Sequence, residues 1–277
     1  MADRANHVIV RDGAWSLYES RWGAPRLEGD LLEGPEAATR AFAELRPGDE
    51  WLDDALAQAA ALIDHDRRLL LYYSAEIDDY AWRAAVMEVL RRVWAGWEVR
   101  WAFDGQGDLA AHVGCDRAVV RAGDATLRLW ASYGTADLVG CLVTVADAGG
   151  LRAYALDTPF SDLLERGADL VGMLPEEARV TECLSLPESG IHFDVAGRSA
   201  GFWTVRPVCG ADGRARARRP GWEWVMWNDR YGEQVIRSGL ALPEPDMVEA
   251  YEELRRRVRA ESPARAVIES LGGGAHG

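Results

Sequence analysis

The chain has 277 residues, 48% hydrophobic and 27% charged, a globular mixture long enough to bury a sizeable core without disulfide or metal staples. A formal net charge of −14 repels phosphate backbones and anionic lipid, which sets nucleic acid and membrane aside and leaves a basic protein as the expected partner. No apolar run approaches the roughly 18 residues that cross a bilayer, and Met1-Ala2-Asp3-Arg4 opens without a basic-then-apolar leader, so a cytoplasmic setting is expected.

In chain order, the recurring signal is the β-hairpin. His7–Val10, the turn Asp12-Gly13 and Trp15–Tyr18 form the first, because glycine tolerates the positive φ of a primed turn. Pro35 to Leu45 reads as a helix with proline in its first turn. Ala61–Ile63, the polar turn Asp64-His65-Asp66-Arg67 and Leu69–Tyr73 read as a second hairpin. Asp79 to Trp94 is helical, with Trp82, Val86, Val89, Leu90 and Val93 along one face. A third hairpin is expected over Val119–Trp130, and a fourth over Leu142–Leu156 around Asp147-Ala148-Gly149-Gly150. Thr158 is the expected cap of a helix running to about Leu170. Ile191–Val195 alternates and returns as Phe202–Val205; Asp246 to Ala260 is an amphipathic helix, a short helix starts at Ser262-Pro263, and 271–277 is a glycine-rich tail.

One motif occurs twice. Gly96-Trp97-Glu98-Val99-Arg100-Trp101 leads to Asp104, and Gly221-Trp222-Glu223-Trp224-Val225-Met226-Trp227 leads to Asp229, each ahead of a short helical stretch. Two related halves meeting near 112–118 are one reading; two independent tryptophan-rich strands are the other. The resulting expectation is an α+β fold of antiparallel hairpin-built sheets with helices packed on one face and two pseudo-repeated halves. Its segments are 1–115, 116–262 and a short helix with tail over 263–277.

Composition restricts the chemistry. All 31 basic residues are arginine, which excludes a Schiff-base lysine, lysine-bound pyridoxal phosphate and a P-loop lysine. With only two asparagines, the bias resembles that of a GC-rich bacterial genome. Cys115, Cys141, Cys183 and Cys209 form no C-x-x-C pair and are expected as free thiols; neither a metal site nor a cofactor is anticipated.

Gly197-Arg198-Ser199-Ala200-Gly201 matches the serine-hydrolase pattern, but a β segment ending in Pro207 follows it where a helix is needed, so it reads as a hairpin turn. Asp64-His65-Asp66 likewise reads as a turn rather than a metal site. His192 and Asp194 share a strand face opposite Ile191 and Phe193, suiting an acid–base pair or a solvated sheet face. His112 and Cys115, three apart near a helix end, suit a thiolate–imidazole pair or a buried histidine beside a small thiol. Asp104 and Asp229, at matched positions, suit either paired catalytic carboxylates or helix caps. Trp22, Trp97, Trp101, Trp222, Trp224 and Trp227 are the candidate binding residues, with core bulk as the competing role.

The opening Arg4–Gly13 stretch (RANHVIVRDG), then Trp22-Gly23-Ala24 and Gly34-Pro35-Glu36, with Trp51-Leu52-Asp53-Asp54 and Gly96–Trp101 further on, resembles a family of uncharacterised bacterial proteins, largely from actinomycetes. The resemblance spans at least residues 4–120 and implies a cytoplasmic bacterial setting without assigning catalytic residues. Two functions follow as expectations: a non-enzymatic interaction or regulatory protein of the immunity type, or a small-molecule hydrolase using Asp104, Asp229, His192 and Asp194 in a cleft between the halves.

Overall fold

A computed structural model describes residues 3–121, 140–218 and 220–272. The chain divides into two units, residues 1–123 with 246–277, and residues 124–245.

In the first unit, Asp12 and Gly13 take left-handed backbone, φ 55° and 75°, and close β1 (Arg4–Arg11) onto β2 (Ala14–Ser20). Then follow α1 (Ala24–Leu32), α2 (Pro35–Ala43) and the two-residue edge strand β3 (Arg46–Pro47). A second hairpin, β4 (Ala57–Asp64) and β5 (Leu69–Ser74), leads to α3 (Tyr80–Val93), β6 (Glu98–Trp101) and α4 (Gln106–His112). The sheet order is β3-β2-β1-β4-β5-β6. Each hairpin is antiparallel within itself, while β1 joins β4 and β5 joins β6 in parallel, so the sheet is mixed. Adjacent strand residues face opposite ways: His7 packs on Phe42 of α2, whereas Asn6 bonds Gln106 of α4. The main helical layer therefore lies on the His7 face, and α4 covers part of the other. Asp79 caps α3 by accepting the Trp82 backbone N–H at 2.6 Å, and the far end is pinned where the Trp94 indole donates to the Leu31 carbonyl at 2.8 Å.

The second unit repeats this order. It runs β7 (Cys141–Asp147), β8 (Gly150–Leu156), α5 (Phe160–Glu165), β9 (Arg179–Val180), β10 (Ser189–Asp194), β11 (Ser199–Thr204), α6 (Ala211–Arg218), β12 (Glu223–Met226) and α7 (Gly232–Ser238). Its sheet order is β9-β8-β7-β10-β11-β12, again with parallel β7–β10 and β11–β12 pairs. The likeness extends to single residues. Each second hairpin turns through four residues whose entry aspartate accepts an N–H three residues on, Asp64 from Arg67 at 2.8 Å and Asp194 from Gly197 at 2.9 Å. Each turn ends in a left-handed arginine, Arg68 at φ 51° and Arg198 at φ 50°, whose carbonyl receives the first N–H of the adjoining edge strand, from Glu98 of β6 and from Glu223 of β12. The two Gly-Trp segments thus run into equivalent strands, β6 and β12, and the two halves have the same topology.

Three boundaries differ from the sequence expectation. Gly167, with φ 58°, ends the helix expected to reach Leu170: α5 stops at Glu165 and a 3-10 helix, Gly167–Met173, takes over. Val119 and Val120 belong to a 3-10 turn, Arg117–Val120, and the rest of the third hairpin, from residue 122 on, lies outside the described residues. Finally, α8 (Met247–Arg257) and α9 (Pro263–Gly272) pack on α3, so residues 246–262 belong with the first unit and not with the second half. No helix among the described residues is long and apolar enough to cross a membrane. None of the four cysteines forms a disulfide; Cys141 and Cys183 are buried, and that burial pushes their thiols up to about 12 and about 11.

Candidate binding site in the first unit

The apolar stripe of α1, with Leu27, Leu31 and Leu32 buried, sets Glu28 at the stripe's border, where its side chain is half-buried. On α3, Trp82 sits three residues past the Asp79 cap, and its indole N–H donates to Glu28 Oε2 at 3.1 Å. The third wall comes from the C-terminal helix: Leu254 is buried, and Arg257 lies with its guanidinium carbon 4.4 Å from the Trp82 ring centre. The Tyr251 hydroxyl ties α8 to α3 by donating to Glu88 at 2.5 Å, and the chain end is held where Ser262 Oγ donates to the Leu32 carbonyl at 3.4 Å.

These walls enclose a pocket of about 400 Å³. Four carboxylates line it, Glu28, Asp30, Glu33 and Glu76, against three guanidinium groups, Arg26, Arg257 and Arg259. Desolvation raises the Glu28 carboxyl above the usual glutamate range; the Trp82 hydrogen bond and the Arg257 charge oppose that rise, and the Glu76 charge adds to it. Asp30 is also raised by desolvation, with Arg26 and Arg259 pulling it back. The pocket therefore offers a partly dehydrated carboxylate beside an indole face, a combination that favours a cation able to lie flat on the ring.

Most tryptophans singled out from the sequence serve the core. Trp101, Trp224 and Trp227 are buried. Trp101 lies 5.3 Å from the buried guanidinium of Arg83, and Trp222 and Trp224 both turn their edges to Phe193. Trp97 packs edge-on against His65 and Trp94. Trp22, 58% exposed on the turn before α1, is the one of the six that stands out into solvent.

The titratable candidates fall in separate settings. In the first unit Asp104 bonds Arg117 and Arg121, and Arg121 also bonds Asp54 at 2.7 Å. Neither Asp104 nor Asp229 holds the N-cap position of the helix that follows, which is Gly105 for α4 and Tyr231 for α7. In the second unit Asp229 is half-buried beside the start of α7. His192 is buried, not solvated, because α7 covers its strand face: Gln234 donates to Thr144 Oγ1 and to the Ile191 carbonyl, and Thr144 Oγ1 lies 2.9 Å from His192 Nδ1. Burial lowers the His192 pKa, Arg237 lowers it further and Asp194 opposes them. His112 turns to the buried Asp64, 2.7 Å away, instead of to Cys115. Ser199 of the G-x-S-x-G segment opens β11 directly after the hairpin turn, as the sequence reading has it.

Glu28, Trp82 and Arg257 escaped the sequence reading because no local motif joins them; the first two are 54 residues apart, and the third arrives from a helix beyond the entire second unit. The amphipathic pattern of α3 did place Trp82 on the packed face. No protein-family model, curated protein or solved structure matches the chain.

Proposed function

We propose that this chain is a non-enzymatic interaction protein of the bacterial cytoplasm, of the family its opening pattern resembles, and that its first unit seats a basic side chain of a protein partner. The half-buried Glu28 carboxylate, bonded to Trp82 at the wall of an open pocket, carries the proposal. Burial disfavours its charge, so an incoming cation regains electrostatic stabilisation lost to desolvation. The net charge of −14 speeds encounter with a basic surface and makes it sensitive to salt.

Calorimetric titration with a short basic peptide and with its acidic counterpart tests this. Binding of the basic peptide alone, weakening with salt and falling about tenfold in Glu28→Gln, is the expected result. Equal binding by wild type and Glu28→Gln excludes the pocket.

The hydrolase alternative draws less support from the surroundings of its residues. Asp104 is neutralised by two arginines, and His192 is buried under Gln234 with its pKa lowered by that burial.

A further inference from the structure

We infer that the group received in this pocket is a guanidinium, an arginine side chain of the partner, and that Arg257 is a built-in stand-in displaced from the Trp82 face on binding. The inference rests on the pocket reading above and narrows it to one ligand chemistry.

The second unit supplies the first argument. There the helix after the first hairpin, α5, also carries an acid, Glu165, facing the helix after the second hairpin, α6. Arg214 of α6 reaches it with two nitrogens, Nε at 2.9 Å and Nη2 at 2.5 Å. Counted from the strands, Glu165 stands one residue past the place of Glu28, so this helix pair shows that an acid between these two helices can be met by a guanidinium, not that the same position is. In the first unit the acid of α1 faces Trp82 of α3 instead, and the guanidinium is left to come from elsewhere.

Arg257 supplies the second. Its guanidinium lies over the indole, yet its ion pair is with Glu253 on its own helix, Nε to Oε1 at 2.7 Å, and its charge reaches Glu28 only through space. The side chain is 64% exposed. An exposed pair of this kind is weak, so Arg257 is easily moved. A planar guanidinium entering from outside can take over the ring face and bond the carboxylate edge together, which an ammonium cannot do.

The test uses the full chain and three peptides identical except for one central residue: arginine, lysine or citrulline. Calorimetry gives affinity, and the indole N–H resonance of Trp82, assigned with Trp82→Phe, gives location. The expected order is arginine first, lysine about tenfold weaker and citrulline without measurable binding. Arg257→Ala, and Arg257→Gln which keeps the polar stem, are expected to bind the arginine peptide several-fold tighter, since each removes an internal competitor. Equal affinity for arginine and lysine, or weaker or unchanged binding in both Arg257 variants, overturns the inference while leaving the pocket reading intact. Absence of binding by every basic peptide, in wild type and variants alike, removes the pocket reading itself.

Discussion

The two units share one chain path and differ in the side chains they set along it. Between its helices the second unit pairs Glu165 with Arg214, whereas the first leaves Glu28 against an indole and borrows a distant arginine from α8. On the sheet, register sets Leu71 and Ala102 of the first unit at the positions of Gly201 and Trp227 in the second. A large side chain has moved from one strand to the next, and a Cβ on Gly201 would lie 1.9 Å from the Trp227 ring. Register likewise gives the buried His7 the place that Val143 takes in the second unit, and the buried His192 the place that Leu62 takes in the first. The repeats keep interior volume and hydrogen bonding by local exchange, and beside the helix after its first hairpin the first unit keeps an open, charged pocket where the second forms the Glu165–Arg214 ion pair. A shared topology therefore constrains shape far more than chemistry.

The volume exchange is expected to show the largest effect. Trp227→Ala should cost the second unit about 3–5 kcal/mol, and Gly201→Leu at least about 3 kcal/mol through overpacking. The double variant, which recreates the first unit's pair, should recover about 2 kcal/mol of their sum. Urea unfolding measures all three, and simple additivity would show that the two positions do not compensate.

Acid titration separates the units next. Burial lowers His7 from 6.5 to about 4, so the folded first unit favours the neutral ring. The associated stability is complete above pH 6.5 and is lost as pH falls from there towards 4, a change on the order of 3 kcal/mol. His7→Val, taking the second unit's residue, should flatten this dependence in hydrogen exchange of β4 amides and leave β10 unaffected. His192→Leu should do the reverse, because His192 is lowered in the same sense. A single common response in both strands would refute this assignment.

The smallest changes concern the helix acids and carry opposite signs. Arg214→Ala strands the nearly buried Glu165 and should cost the second unit about 2 kcal/mol. Glu28→Gln should stabilise the first unit at neutral pH. The raised Glu28 carboxyl means that stability is full below the ordinary glutamate range and falls as pH climbs through the raised value, a loss the amide cannot show. Destabilisation by Glu28→Gln at neutral pH would mean that the acid is already satisfied internally.

Much of the local structure was legible in the chain. Asp12-Gly13 announces its turn because few other pairs tolerate two left-handed residues, and Asp79 and Asp246 announce α3 and α8 because each side chain can accept a free N–H of the first turn. The matched Gly-Trp segments marked the equivalent strands β6 and β12. The parallel joins β1–β4 and β7–β10 were not legible, since alternation looks the same whichever neighbour a strand finds. His192 was read as solvated for a related reason: alternation assigns a side chain to a face but cannot say that α7 and Gln234 cover it.

What the amino-acid sequence determined unaided is most of the turns and hairpins described and the Asp79 and Asp246 caps, each encoded by a few neighbouring residues whose backbone preferences act without help from the rest of the chain. The tertiary structure alone decided which hairpins adjoin, where the last helices return, and that Glu28, Trp82 and Arg257 line one pocket. Such meetings depend on packing between segments far apart along the chain, and their stabilisation exists only once both sides are folded.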